Sequence, residues 1–336
     1  MDRNRGIVPL LYYHTLCHAA LDRPSSVALG FFDGLHLGHK AVIAKAVSAQ
    51  TNGLVPAVFT FRMDAKGPEK KPALGYELIT PDDKRMILAQ WGVQAALCPD
   101  FSEFCSMEPE QFVQEILVRK LRASHVCCGR DFRFGRKAAA GIGELAALCR
   151  PLGIIVDPIE DVIVDGQRVS STWIRALLGE GNVKKAAELL GRPFGYDFQV
   201  TEGKHLGRKL DFPTINQPIP PQFVTPCKGV YASAAYVQGH WQAAVTNVGL
   251  RPTVEHSTAL NSETYICGFS GNLYGKRVPV RLLEFLRPEQ KFHSIEALQN
   301  QIRQDAVQAE KLAAECLKQE LCQSLSSFKI PGELEN

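Results

Sequence analysis

From residue 27 the chain runs apolar, then turns through glycines, then takes up a helical periodicity. Val27-Ala28-Leu29 reads as a short buried strand, and residues 30–35, with two glycines and an aspartate, read as a tight loop. From His36 an apolar stripe of Leu37, Ala41, Ile43, Ala44 and Val47 predicts a helix. The alternation continues. Residues 54–61, 93–98, 125–129 and 154–156 are further apolar strand candidates, and 81–92, 108–121 and 143–149 are helical. Pro81 followed by Asp82 and Asp83 opens one helix, and Gly92 closes it. Such alternation predicts a Rossmann-like parallel sheet with helices on both faces. Ligands in such sheets bind at the carboxyl ends of the strands. Gly30 and Gly129 both fall there, on one rim.

After a short helix and a Gly/Pro connector at 180–196 the pattern changes. Residues 196–203, 229–239, 240–249, 263–269 and 277–286 are closely spaced strand candidates, and Gln238-Gly239 is a hairpin-like turn. They predict a small antiparallel β-barrel. One helix over 294–324, with Leu298, Ile302, Ala306, Ala309, Leu312 and Cys316 as its stripe, packs on that barrel. The expected domains are 1–186 and 187–336, which suits 336 residues at ~100–200 per domain.

Charge and cysteine usage narrow the class. A net charge of +3 is too small to argue for nucleic acid and suits an enzyme of anionic nucleotides. The ten cysteines show no CxxC and no metal-ligand spacing, so reduced thiols and a cytoplasmic location are expected. No apolar run approaches the ~20 residues of a membrane span. The segment 7–13 is too short for a secretory signal.

The chemistry sits at the predicted loops. His36 and His39 share one face of a helical first turn, at a helix start that seats phosphate. Two imidazoles there can stabilise a phosphorus centre gaining negative charge. The other readings are a satisfied surface pair or, without a partner motif nearby, zinc. GRDFRFGRKAAAG (129–141) is a cationic loop in which Phe132 or Phe134 either stacks on a flat ring or anchors the core. In VSSTWIRALLGEGNV (169–183), Ser171 or Thr172 is a good N-cap for a helix from about Trp173, with Arg175 in its first turn near any bound phosphate. GKHLGRKLDFPTIN (203–216) brings Gly203, Lys204, Gly207, Arg208 and Lys209 into a polyphosphate loop. Thr214 and Asn216 face one way in extended backbone and could offer two hard oxygens to Mg²⁺, although by itself such a turn is usually structural. GNLYGK (271–276) lacks the spacing of a GxxxxGK[ST] loop.

GFFDGLHLGH resembles the HxGH loop of nucleotidyltransferases and, as GxFDGxHxGH, the adenylyltransferase module of the bacterial bifunctional riboflavin kinase/FMN adenylyltransferase (FAD synthetase) family. GRDFRFG and VSSTWIRALLGEG are similar to that family's next motifs. FPTIN, KGVY, NVGLRPT and SETYICGF resemble its riboflavin kinase module, so the likeness runs from about residue 10 to 325.

The resemblance implies two ATP-dependent steps, riboflavin to FMN and FMN to FAD plus pyrophosphate. His36 and His39 would be catalytic. Gly30, Phe31, Asp33, Gly34, Gly38, Ser171, Thr172 and Arg175 would bind ATP, with Asp131 and Phe134 toward the flavin. In the kinase, Gly203, Lys204, Gly207, Arg208, Thr214 and Asn216 would hold ATP, Thr214 and Asn216 with Mg²⁺, and Glu263 would be the base. Its partners would be riboflavin, FMN, FAD and ATP, with no nucleic acid and no membrane. The chain departs from the family at RMDAKGP (62–68), where many relatives carry Pro-His-Pro. It departs again at Asp211 for Gly, Gln217 for Leu and Tyr265 for His. Two other classes share part of the pattern: a different nucleotidyltransferase, against which FPTIN and NVGLRPT argue, and a non-enzymatic flavin-binding protein.

Overall fold

Short, mostly apolar runs build the first sheet. β2 (Ser25–Leu29) and β3 (Val55–Phe59) are buried at every position, as strands covered on both faces are. The computed structural model describes residues 10–63, 77–203, 212–252 and 258–318. It joins these strands to β1 (Leu11–Tyr13), β4 (Ala95–Leu97), β5 (Ala123–Gly129) and β6 (Ile155–Ile159). The order is β1-β4-β3-β2-β5-β6, parallel throughout. The helices between them are α1 (Leu37–Ser48), α2 (Pro81–Gln90), α3 (Pro109–Phe112) and α4 (Ile142–Cys149).

The predicted α/β architecture is present, with local differences. The buried face of α1 is Val42, Ile43 and Ala46; of the expected stripe only Ile43 is buried, and Ala44 is exposed. The sheet behind β2, β3 and β5 selects the face, which periodicity alone left a residue or two out of phase. α3 runs on into a π-helix over Val113–Lys120, a register that buries Val113, Ile116 and Leu117. Phe59, Phe112, Cys128, Phe134 and Cys149 share the core around it. Burial pushes the thiols of Cys127 and Cys128 up to about 12 and that of Cys149 to about 11. Among the described residues eight cysteines are free and Cys316 is disulfide-bonded, against the expectation of reduced thiols.

One polar chain crosses this sheet away from the rim. Ser26 Oγ lies 2.7 Å from His125 Nδ1, and His125 Nε2 lies 3.0 Å from Asp157 Oδ2, which Lys45 meets at 3.1 Å. Burial raises the Asp157 pKa, but the hydrogen bonds from His125 and Lys45 outweigh it and hold the carboxyl below its usual range. A carboxyl depressed by folding stabilises above its unfolded pKa of ~3.9, and that stability is lost as pH falls through the folded value. Asp157→Asn should therefore lower stability at neutral pH, with the deficit shrinking below pH ~4. Urea unfolding at a series of pH values checks this.

Contacts divide the chain into Met1–Ala73 with Pro81–Ser170, and Leu74–Thr80 with Ser171–Asn336. The expected boundary between 186 and 187 falls inside α6 (Val183–Leu190). α6 packs on α5 (Ser171–Gly179) and on a barrel strand, so by contacts it groups with the second unit.

The second unit is antiparallel. β9 (Gly195–Tyr196), β10 (Thr214–Pro218), β11 (Gly229–Val237), β12 (His240–Pro252), β13 (Thr258–Ile266) and β14 (Val280–Arg287) lie in the order β10-β13-β12-β11-β14-β9. Gln238 (φ 52°) and Gly239 (φ 79°) form the two-residue turn between β11 and β12. Of the strand expected at 196–203 only β9 forms. The chain then crosses to bridge Thr201 with Asn216 on β10, closing the two ends of the sheet.

α7 (Ile295–Lys318) covers this barrel. Ala306, Ala309 and Leu312 of the expected stripe pack on Val230, Ala232 and Val245. Buried Asp305 takes Arg287 of β14 in contacts of 2.8 to 3.3 Å. Residues 319–324 of the expected helix lie outside the described residues.

Candidate active sites

The loop after β2 is tightly turned. Phe32 (φ 50°), Gly34 (φ 78°) and Leu35 (φ 45°) are all left-handed, and bulky residues rarely adopt that region away from functional sites. The loop delivers His36 to the N-cap of α1, where Nδ1 accepts from the His39 backbone N–H at 3.3 Å. An accepting Nδ1 carries no proton, so the N–H of the neutral ring is Nε2. The His36 and His39 rings stack, with centroids 3.5 Å apart and an interplanar angle of 18°. A Cβ on Gly38 would meet His36 Cε1 at 3.1 Å, so a side chain there would crowd the ring that folds over the first turn. Gly30 likewise leaves room for the Phe32 ring, 2.9 Å from its missing Cβ. Phe31 is half-buried, and Asp33 and Gly34 are buried. The sequence-predicted residues of this loop and helix start are thus gathered at one helix N-terminus.

The other predicted residues of this site fall out unevenly. Asp131 is exposed and accepts from Arg168 at 2.6 Å, and Arg168 also reaches Asp161 at 3.0 Å. Phe134 is 5% exposed, its ring set among Phe112 and Phe132. Of the two readings open to it, core anchor is the one its burial fits. Ser171 and Thr172 are the first residues of α5, so this helix begins two residues before the expected Trp173. Arg175 is half-buried in the same helix.

In the second unit, Asn216 on β10 stands directly opposite Glu263 on β13. Asn216 is buried and Glu263 exposed. Asn261 Nδ2 donates to Asn216 Oδ1 at 2.9 Å. On the other side a Cβ on Gly203 would lie 2.3 Å from Asn216 Nδ2. The amide is therefore held with Nδ2 toward Gly203 and Oδ1 toward Asn261. Thr214, two residues earlier, lines a cavity of about 440 Å³ with Thr264, Phe269, Asn272 and Tyr274. Residues 271–274 of the GNLYGK segment, excluded as a phosphate loop by its spacing, are thus a wall of this cavity. Lys204, Gly207, Arg208, Lys209, Asp211 and Thr253 lie outside the described residues, as does most of RMDAKGP. Among the described residues no cluster of His, Cys, Asp and Glu could hold a metal by itself.

Residues 18–173 match the FAD synthetase family and residues 190–313 the riboflavin kinase family. A bifunctional riboflavin kinase/FMN adenylyltransferase of Listeria monocytogenes is 34% identical over 288 residues, covering 83% of this chain and 89% of that one. One from Pseudomonas fluorescens is 34% identical over 324 residues, covering 94% and 98%. The chain belongs to the bifunctional riboflavin kinase/FMN adenylyltransferase family. A solved Streptococcus pneumoniae structure, described as a macrolide-efflux protein, is 27% identical with a TM-score of 0.79, covering 90% of this chain and 99% of that one. No helix among the described residues here is long and apolar enough to cross a membrane.

Within this bifunctional enzyme, the geometry also accounts for a family departure. Gln217, where relatives usually have Leu, is wholly buried, and its Nε2 donates to the Phe198 and Val278 carbonyls at 2.5 and 2.8 Å. It staples the closing segment to β10. Tyr265, in place of His, sets its ring edge-on to Phe212 at 5.1 Å; burial raises its pKa, with Cys267 and Glu310 adding to the effect. Sequence reasoning missed Thr60, Lys84, Arg168 and Asn261. Lys84 alone carried a local signal, a cation in the first turn of a helix, where the dipole disfavours it.

Proposed function

We propose that the stacked His36–His39 pair is the catalytic centre of FMN adenylylation and that Glu263, opposite Asn216, is the base of riboflavin phosphorylation. In the first reaction a phosphate oxygen of FMN attacks the α-phosphorus of ATP. The bond to the β-bridging oxygen breaks, and pyrophosphate leaves. Nε2–H of His36 and the His39 ring donate to the phosphorus oxygens as charge builds, and the dipole of α1 favours that charge at its N-terminus. By the motif resemblance, Ser171, Thr172 and Arg175 are assigned to ATP and Asp131 to the flavin. In the second reaction Glu263 takes the proton of the ribityl 5′-hydroxyl as its oxygen attacks the γ-phosphorus, and ADP leaves.

A fixed Asn216 Oδ1 and the Thr214 hydroxyl are hard oxygens, the donor type that suits Mg²⁺. Bound there, Mg²⁺ would neutralise phosphate charge. By the motif resemblance, Gly203, Lys204, Gly207 and Arg208 are assigned to the ATP phosphates, and the cavity beside Thr214 takes the adenosine. Eight free thiols among the described residues and cellular ATP as co-substrate go with a cytoplasmic location.

The observation that carries this reading is the imidazole pair stacked at a helix N-terminus. Mass spectrometry of products from riboflavin, ATP and Mg²⁺ tests it: FMN should appear first, then FAD with pyrophosphate. Riboflavin recovered unchanged would support a non-catalytic flavin-binding protein instead.

A further inference from the structure

A buried cation lies beneath the first loop. Lys84 of α2 is 8% exposed, although burial disfavours an ammonium. Its Nζ donates to the Phe31 carbonyl oxygen at 3.0 Å and to Thr60 Oγ1 at 2.8 Å. Thr60 Oγ1 donates to the same carbonyl at 2.6 Å. The Phe31 oxygen thus has a donor for each lone pair, and the Phe31–Phe32 peptide plane is held from both sides. Phe32, immediately beyond that peptide, stands at φ 50°. Its ring is 1% exposed and meets His39 edge-on, with centroids 5.3 Å apart and planes at 89°. His39 therefore sits between two rings, Phe32 on one side and His36 on the other.

The geometry points to Lys84 as a positioning residue for adenylyl transfer. It locks the Phe31 peptide, the locked peptide holds Phe32 in its left-handed conformation, and Phe32 holds His39 in the stacked pair. Lys84 acts through these neighbours and is not itself assigned a contact with substrate. The inference rests on the reading that His39 serves the adenylylation step.

Lys84→Met keeps most of the stem and removes the charged donor. A misplacement of ~1 Å costs on the order of 10²-fold, and a loss of that order is expected in kcat for FAD formation from FMN. KM for FMN should stay unchanged, as should riboflavin phosphorylation by the same chain. The His39 ring-proton resonance, shifted by the two flanking rings, should move in Lys84→Met. Lys84→Arg should recover part of the lost rate. Thr60→Val removes the second donor and should cost less. Because both residues act on one carbonyl, the double variant should lose no more than Lys84→Met alone.

Wild-type FAD formation with an unmoved His39 resonance in Lys84→Met would overturn the inference. If Lys84→Met does not fold, Thr60→Val decides by the same two readouts. If His39→Ala itself leaves FAD formation intact, the proposed centre fails and takes the role of Lys84 with it. If His39→Ala is inactive while Lys84→Met is not, only Lys84 is wrongly assigned.

Discussion

Purified His39→Ala should convert riboflavin to FMN at the wild-type rate and then stop. Removing one donor to a charged transition state costs on the order of 10²–10³ in kcat, so a loss of that size is expected in FAD formation. The variant is clean for a structural reason. The N-cap bond of α1 runs from the His39 backbone N–H to the His36 ring, and alanine keeps that N–H. His36→Ala would remove a donor and a cap together, and a lost cap costs ~1 kcal/mol of stability by itself. Chromatographic initial rates for both steps, on one preparation, give the comparison. Equal loss of FMN and FAD formation would point to general damage and not to chemistry at the imidazoles.

Glu263→Ala should do the reverse. A positioned base contributes on the order of 10²–10⁴ in rate, so riboflavin phosphorylation should fall by that order while added FMN is still adenylylated. Glu263 is exposed on β13, and exposed substitutions usually move stability by less than ~0.5 kcal/mol. A melting curve close to wild type is therefore expected. Glu263→Gln separates base from hydrogen-bond acceptor: it keeps the shape and loses the proton sink, so it should be nearly as slow as alanine. Phosphorylation at the wild-type rate in either variant would remove Glu263 from the mechanism.

The sequence by itself determined the order of elements. Parallel strands covered on both faces must be apolar without interruption, so Val27-Ala28-Leu29 and its successors announced themselves. The change to short β-branched strands with tight turns announced the barrel. It also placed the paired histidines, the FPTIN turn and Glu263 in motifs whose spacing is local. Local spacing puts Thr214 and Asn216 on one strand face, and no distant residue is needed to know it.

The tertiary structure decided what distant residues do to these groups. It chose Val42, Ile43 and Ala46 as the buried face of α1, assigned Phe134 to the core, and started α5 at Ser171. It also set Asn216 opposite Glu263 by strand register, with Asn261 fixing its amide. Lys84, Thr60 and Phe31 meet across sequence separations of 53, 29 and 24 residues. No periodicity in the chain records such a meeting. Hydrogen bonds depend on positions in space to a fraction of an ångström, and only packing of the whole unit sets those positions.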